Sequence, residues 1–272
     1  MPAVMSPDFR PYGVLRETSA WGWTEVRASV MQREVESAAA ILEKDGSSVR
    51  FPEVTPISAQ VGGSCVANAF CDGEEYLQAF QNPGGQVVQI SRSAAYYWSR
   101  CRHGAQHQDG GTYASAMATQ LLTVGVVPES EWAHTEEHIL ERVPDRLIML
   151  AADHRIEGCV EVPYTGSRRS DQVEWYLRAG LPVVVCNEIT RSQFGDPKPS
   201  DVIGPAQGDI WGAHATLLVG VRVLVSGDRE FLLRNSWGRG WGDNGYIWVS
   251  QGFLSSSFEV FALTKAVDLV KP

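Results

Sequence analysis

The sequence changes texture at about residue 155, and that change limits the folds open to it. Before it, apolar residues recur at helical spacing, in patterns covering about 66–80, 91–102 and 113–124. After it, short runs rich in Val, Leu, Ile and aromatics appear at Val183–Cys186, Ala215–Val225, Glu230–Arg234 and Tyr246–Val249. Ser226-Gly227-Asp228 and Asn244-Gly245 read as tight turns beside such runs. Helices first and antiparallel strands later predict an α+β chain, with two lobes and a cleft between them. The Pro- and Gly-rich stretch from Thr190 to Gly212 reads as a long surface loop.

The N-terminal part stands apart. Residues 1–23 are rich in Pro, Gly and Trp, whereas Thr24 to Lys44 reads as a helix with Met31, Val35, Ala38 and Leu42 on one stripe. Asp45-Gly46 ends that pattern, and Ser47 to Pro56 should be extended. A lone helix of this length is marginal in water, so its stripe needs a surface. We therefore divide the chain into an N-terminal extension, residues 1–50, which plugs the cleft or packs on the back of a lobe, and a main domain, residues 51–272.

Charge narrows the partners. Lys+Arg 23 against Asp+Glu 32 leaves a net charge of −9, which argues against a nucleic-acid or polybasic membrane surface. No apolar run approaches the roughly 20 residues that span a bilayer. Met1 to Tyr12 carries prolines and charges where a secretory core would be apolar, so a cytoplasmic location is expected. The oligomeric state is not legible. Five cysteines without a CxxC pair suggest reduced, mostly buried thiols.

One of the five has special surroundings. Gly62-Gly63-Ser64 precede a helical pattern, which places Cys65 in a first helical turn. Unpaired N–H groups and the helix dipole there favour a thiolate nucleophile. A small buried cysteine at a helix start is the plain alternative. Two downstream segments decide between them: Gly212-Ala213-His214-Ala215 leads into a strand pattern, and Arg234-Asn235-Ser236-Trp237-Gly238 is followed by Gly240-Trp241-Gly242-Asp243-Asn244-Gly245-Tyr246. Cysteine, histidine about 150 residues later, then asparagine is the order of a Cys-His-Asn thiol peptidase.

The chain thus resembles the papain-like cysteine peptidases, the C1 family. Gly63–Cys65, His214–Ala215 and Asn235–Tyr246 match that family's GSC, HA and NSWG-x-x-WG-x-NGY motifs. Asp109-Gly110-Gly111 resembles its double-glycine cleft segment, and Leu181 to Val185 its PV strand. The resemblance covers roughly residues 50–265. It implies a helical left lobe, a β-barrel-like right lobe, and hydrolysis of peptide or protein substrates without metal or cofactor. A cleft that is plugged or unused, and acyl transfer to an amine, are the alternative functions.

By the same resemblance Cys65 is the nucleophile, His214 the acid/base and Asn235 the group that orients it. Trp237 would shield that contact from water, and Gln60 with the Cys65 N–H would form the oxyanion hole. Gly110, Gly111, Thr112 and Tyr113 would line the non-prime cleft, with Trp211 and Ala213 beside the side-chain pocket. Three departures stand out. Gln60 lies five residues before Cys65 where the family has six, so Val61–Gly63 must absorb a deletion. Val66 replaces a tryptophan, and Gly62 stands where many members carry a disulfide cysteine.

Other signals carry less. His134-Thr135-Glu136-Glu137-His138 matches an H-x-x-E-H zinc pattern but follows a polar stretch and lacks an apolar helical stripe, so no metal is expected there. His103 and His107 read as solvated loop residues. Cys71, Cys101, Cys159 and Cys186 read as packed thiols.

Overall fold

The computed structural model describes residues 14–15, 43–44, 47–163 and 165–268. Its strands are β1 (Val14–Leu15), β2 (Glu43–Lys44), β3 (Ser48–Arg50), β4 (Thr112–Tyr113), β5 (His154–Glu161), β6 (Val183–Thr190), β7 (Val202–Ile203), β8 (Ile210–Val223), β9 (Arg229–Arg234), β10 (Tyr246–Ser250) and β11 (Glu259–Asp268). The helices are α1 (Cys65–Gln81), α2 (Arg92–Cys101), α3 (Ala114–Thr123), α4 (Ile148–Ala151), α5 (Gly166–Arg178), α6 (Arg191–Phe194) and α7 (Gln251–Ser255). The expected α+β arrangement holds, with α1 to α3 preceding the main strands. Among the described residues no helix is long and apolar enough to cross a membrane.

The large sheet runs β5-β11-β6-β8-β9-β10-β7, with β2 and β3 attached beside β8. It is open and mixed: β7 joins β10 in parallel, while the neighbours from β5 to β10 are antiparallel. Val183, Val184, Val185 and Cys186 in β6 are all buried, as are Leu217, Leu218 and Val219 in β8. Strands covered on both faces need such unbroken apolar runs. The long helix α1 is buried almost all round, the mark of a central helix. It sits close on the sheet because Gly73 has no side chain; a Cβ there would lie 2.5 Å from Leu263 Cδ1.

Several expectations change in detail. The stretch from 190 to 212 is not a plain loop, since Phe194 in α6 is buried and β7 pairs with β10. Most of the helix expected over Thr24–Lys44, including its apolar stripe, lies outside the described residues, and Glu43–Lys44 at its end are extended, paired with Val49 and Arg50. Strands β5 and β11 and helix α5 were not anticipated. Cys101 is exposed, against the expectation of a packed thiol.

Candidate active site

Strand β8 carries His214, opposite Asn187 of β6, and Asn235 follows the last residue of β9. The ladder between β8 and β9 brings them together, with Leu217 opposite Arg234. His214 Nε2 lies 2.8 Å from Asn235 Oδ1, which also accepts the Ser236 N–H at 2.8 Å. Because Oδ1 is the acceptor, Nε2 bears the imidazole proton and Nδ1 is left as the basic nitrogen. That Nδ1 is buried and has no hydrogen-bond partner. Trp237 stacks on the ring at 4.6 Å, and Phe194 meets it edge-on at 6.2 Å.

Cys65 opens α1, and its thiol meets the backbone N–H of Ala215, the residue after His214. The three side chains are closed off from solvent: Cys65 is 0%, His214 1% and Asn235 1% exposed. Burial pushes the Cys65 thiol up to about 12, against the lowering effect of the Ala215 and Val66 N–H groups. Burial also lowers His214 to about 4, partly opposed by its bond to Asn235. Burial thus opposes the expected thiolate at Cys65, while the N–H groups of Ala215 and Val66 favour it.

Gln60 reaches across from the other side. Its Oε1 accepts from Ser236 Oγ at 2.8 Å and Trp237 Nε1 at 3.1 Å, which fixes how the amide is turned. Its Nε2 donates one proton to the Gly62 carbonyl at 2.9 Å, and an amide nitrogen has a second to offer. The backbone agrees: Gln60 N–H donates to Ser236 O at 2.7 Å and Gly238 N–H to Ser58 O at 3.0 Å. Within the stretch Val61–Gly63, Gly62 has a φ of +53°, which suits glycine, and a Cβ there would collide with the Asp109 carboxylate.

The cleft segment is partly occupied by the chain itself. Gly110 is exposed, but Gly111 is buried and gives its N–H to Tyr96 OH at 2.9 Å. Thr112 and Tyr113 form β4, which pairs in parallel with Val14 and Leu15. Trp211 and Ala213 are half-buried on β8, with Trp211 edge-on to Trp237 at 5.8 Å. His103 is not a solvated loop residue: its Nε2 lies 3.2 Å from Thr112 Oγ1 and its ring packs edge-on to Tyr113.

Beneath the site lies a buried charge network that the sequence reading missed. Asp72, two turns along α1 from Cys65, binds Arg234 at 2.8 Å and Arg92 at 2.6 Å. Arg92 also binds Glu75 at 2.5 Å, and Thr55 Oγ1 donates to Glu75 at 2.6 Å. Burial would raise the Asp72 carboxyl, but Arg234 and then Arg92 outweigh it and hold the group below its usual range. Arg234 immediately precedes Asn235, so this network ties α1 to the strand β9 that leads into the asparagine. An arginine ending the apolar run Phe231-Leu232-Leu233 was the available signal. The two histidines of the H-x-x-E-H stretch are engaged separately: His134 with Ser93 and Val61, His138 with the Ala133 carbonyl and the Trp132 ring.

In this arrangement Asn235 bonds His214, and the next residue, Ala215, meets the thiol of Cys65 at the start of α1. Residues 45–260 match the papain family cysteine protease domain, and the chain belongs to that family. A cysteine protease of Blomia tropicalis is 25% identical over 202 residues, 73% of this chain and 58% of that protein. The chain thus spans less than two thirds of that relative's length. Among solved structures, xylellain, a cysteine protease from Xylella fastidiosa, matches with a TM-score of 0.75 at 22% identity, covering 94% of this chain and 96% of that one. Procathepsin B of Trypanosoma congolense matches with a TM-score of 0.69 at 15% identity, covering 94% and 86%. At such identities the structural likeness is one of fold.

Proposed function

We propose that the chain is a cysteine endopeptidase acting through an acyl-enzyme on Cys65. The observation that carries this is the unpaired, buried His214 Nδ1, kept basic by the Asn235 bond to Nε2 and adjoining the residue that meets the thiol. As Sγ attacks the scissile carbonyl carbon, its proton passes to Nδ1. The carbonyl oxygen gains negative charge and takes the Cys65 N–H, which has no intrahelical acceptor in a first turn, and the second Gln60 Nε2 proton. The imidazolium then protonates the leaving amine as the C–N bond breaks. Water, deprotonated by His214, attacks the thioester and releases the acid and the thiol. Trp237, stacked over His214, keeps bulk water from the Asn235 contact.

Incubating the purified chain with a mixed peptide library, and reading the products by mass spectrometry, tests this reading. Internal cleavages lost in Cys65→Ala support it; an uncleaved library overturns it. Added amine nucleophiles in the same assay separate hydrolysis from acyl transfer, since transfer yields amidated products.

The chain before β3 is proposed as an extension that blocks the cleft, whereas Ser48–Arg50, expected to belong to it, are a strand of the large sheet beside β8. The parallel pairing of Val14–Leu15 with Thr112–Tyr113 supports the blocking role, because it occupies the backbone of the expected substrate wall. Removing residues 1–46 should raise peptidase activity in a soluble protein; unchanged activity would make the extension a packing element.

A further inference from the structure

The loop Gln60–Ser64 has to present the oxyanion donors, yet it belongs to no strand or helix. Several of its polar groups are nevertheless held by named partners. The Val61 carbonyl accepts from Ser64 Oγ at 2.7 Å, and the Gly62 carbonyl accepts from Gln60 Nε2. Two N–H groups are held by side chains of the helical lobe. Val61 donates to His134 Nε2 at 3.2 Å, and Gly63 donates to Asp109 Oδ1 at 2.8 Å.

Both acceptors are rooted in α2. His134 accepts at Nε2, so Nδ1 carries the proton and donates to Ser93 Oγ at 2.9 Å. Its backbone N–H is fixed in turn by Glu129 Oε1 at 2.5 Å. Burial, with the nearby Arg92 charge, lowers this imidazole to about 4 and so keeps it an acceptor. Asp109 Oδ1 also accepts from Tyr96 OH at 2.9 Å, the same hydroxyl that receives the Gly111 N–H. The Arg100 guanidinium sits 3.7 Å from the centre of the Tyr96 ring. Ser93 and Tyr96 are three apart, hence neighbours on one helix face.

We propose that His134 and Asp109 are positioning residues that clamp the shortened nucleophile loop, so that the Gln60 amide and the Cys65 N–H converge on one oxyanion position. The proposal rests on the peptidase reading above. Neither side chain touches the reacting atoms. Each acts through one loop N–H, and between them lies Gly62, whose φ of +53° favours glycine. The clamp also reaches the substrate wall, because Tyr96 joins Asp109 to Gly111. Asp109 is exposed, so truncating it removes no core packing.

The test compares His134→Phe with His134→Gln, and Asp109→Ala with Asp109→Asn, in the full chain, using a peptide that the wild type cleaves. Gln and Asn retain an oxygen that can accept the Val61 or Gly63 N–H; Phe and Ala do not. His134→Phe and Asp109→Ala should each lower kcat by about 10- to 100-fold with KM little changed, the pattern of a misplaced oxyanion donor. The Gln and Asn variants should recover most of that loss. Iodoacetamide alkylation of Cys65, which needs no oxyanion hole, should stay within about threefold of wild type by the same reasoning. Equal losses in the rescuing and non-rescuing variants, or wild-type kcat in all four, would overturn the clamp. If the wild type cleaves no peptide, the peptidase reading fails by itself, and amide exchange then decides the clamp. Faster exchange at Val61 in His134→Phe, with the β8 amides unchanged, supports it; unaltered exchange at Val61 refutes it.

Discussion

The two sides of the site are held in place by different means. His214 and Asn235 are placed by the backbone: β8 lies between β6 and β9, and the ladder sets both positions whatever side chains its neighbours carry. The loop before Cys65 has only a few backbone ties, at Ser58, Ala59 and Gln60, and otherwise depends on Gln60, His134 and Asp109 side chains. A ladder tolerates substitution. A loop held by side chains does not, because each tie is lost with one residue.

The largest expected effect removes the chemistry itself. Cys65→Ala and His214→Ala should each abolish turnover of a cleaved peptide, while Asn235→Ala, which loses only the orienting group, should keep a measurable residue of it. Full activity in Asn235→Ala would show that the sheet side does not rely on that contact.

Next comes the network that joins the two sides. Asp72→Asn leaves Arg234 and Arg92 short of a buried counter-charge and should cost about 3–5 kcal/mol, measured by urea unfolding. The pH dependence comes from the depressed carboxyl. A group whose folded value is lowered gives its full stabilisation above the unfolded value of about 3.9 and loses it as pH falls through the lower folded value. The wild type should therefore lose stability on acidification below about pH 4, and the difference between wild type and Asp72→Asn should shrink there. A constant difference down to strong acid would show that the carboxylate is not what holds the lobes.

Gln60→Ala tests the loop side directly. It should lower kcat by roughly 100-fold with little change in KM, since the donor acts on a charge present only in the transition state. The smallest effect belongs to the ladder: Ile247→Val, buried in β10, should cost about 0.5–1.5 kcal/mol of stability and leave kcat unchanged. A fall in kcat there would erase the contrast between the two sides.

The same contrast explains what could be read in the sequence. Helices α1, α2 and α3 and strands β6, β8, β9 and β10 are legible from periodicity, because burial of one face or of both leaves a repeating apolar pattern. Cys65, His214 and Asn235 are recognisable from motif order. Strand β5 and helix α5 mix charges into their patterns, with Glu157 and Glu161 in the one and three arginines in the other, so periodicity alone does not reveal them. The short β7 is two residues long and depends on its partner Trp248–Val249 for its existence. Asp72, Tyr96, Asp109 and His134 escaped for another reason. Their roles depend on partners 13 to 162 positions away, and a buried carboxylate or imidazole looks in sequence like any polar residue.

Gly62 has a further consequence. Where the family resemblance implies half of a disulfide, the chain holds a glycine turned against a carboxylate, and all five cysteines are free. A reductant therefore has no disulfide to cut here. On the proposed reading, an oxidant that caps Cys65 removes the nucleophile while breaking no disulfide in the lobe around it. On that reading a small thiol that removes the cap restores activity, and the redox response belongs to the chemistry of one side chain, separate from any bond that holds the architecture.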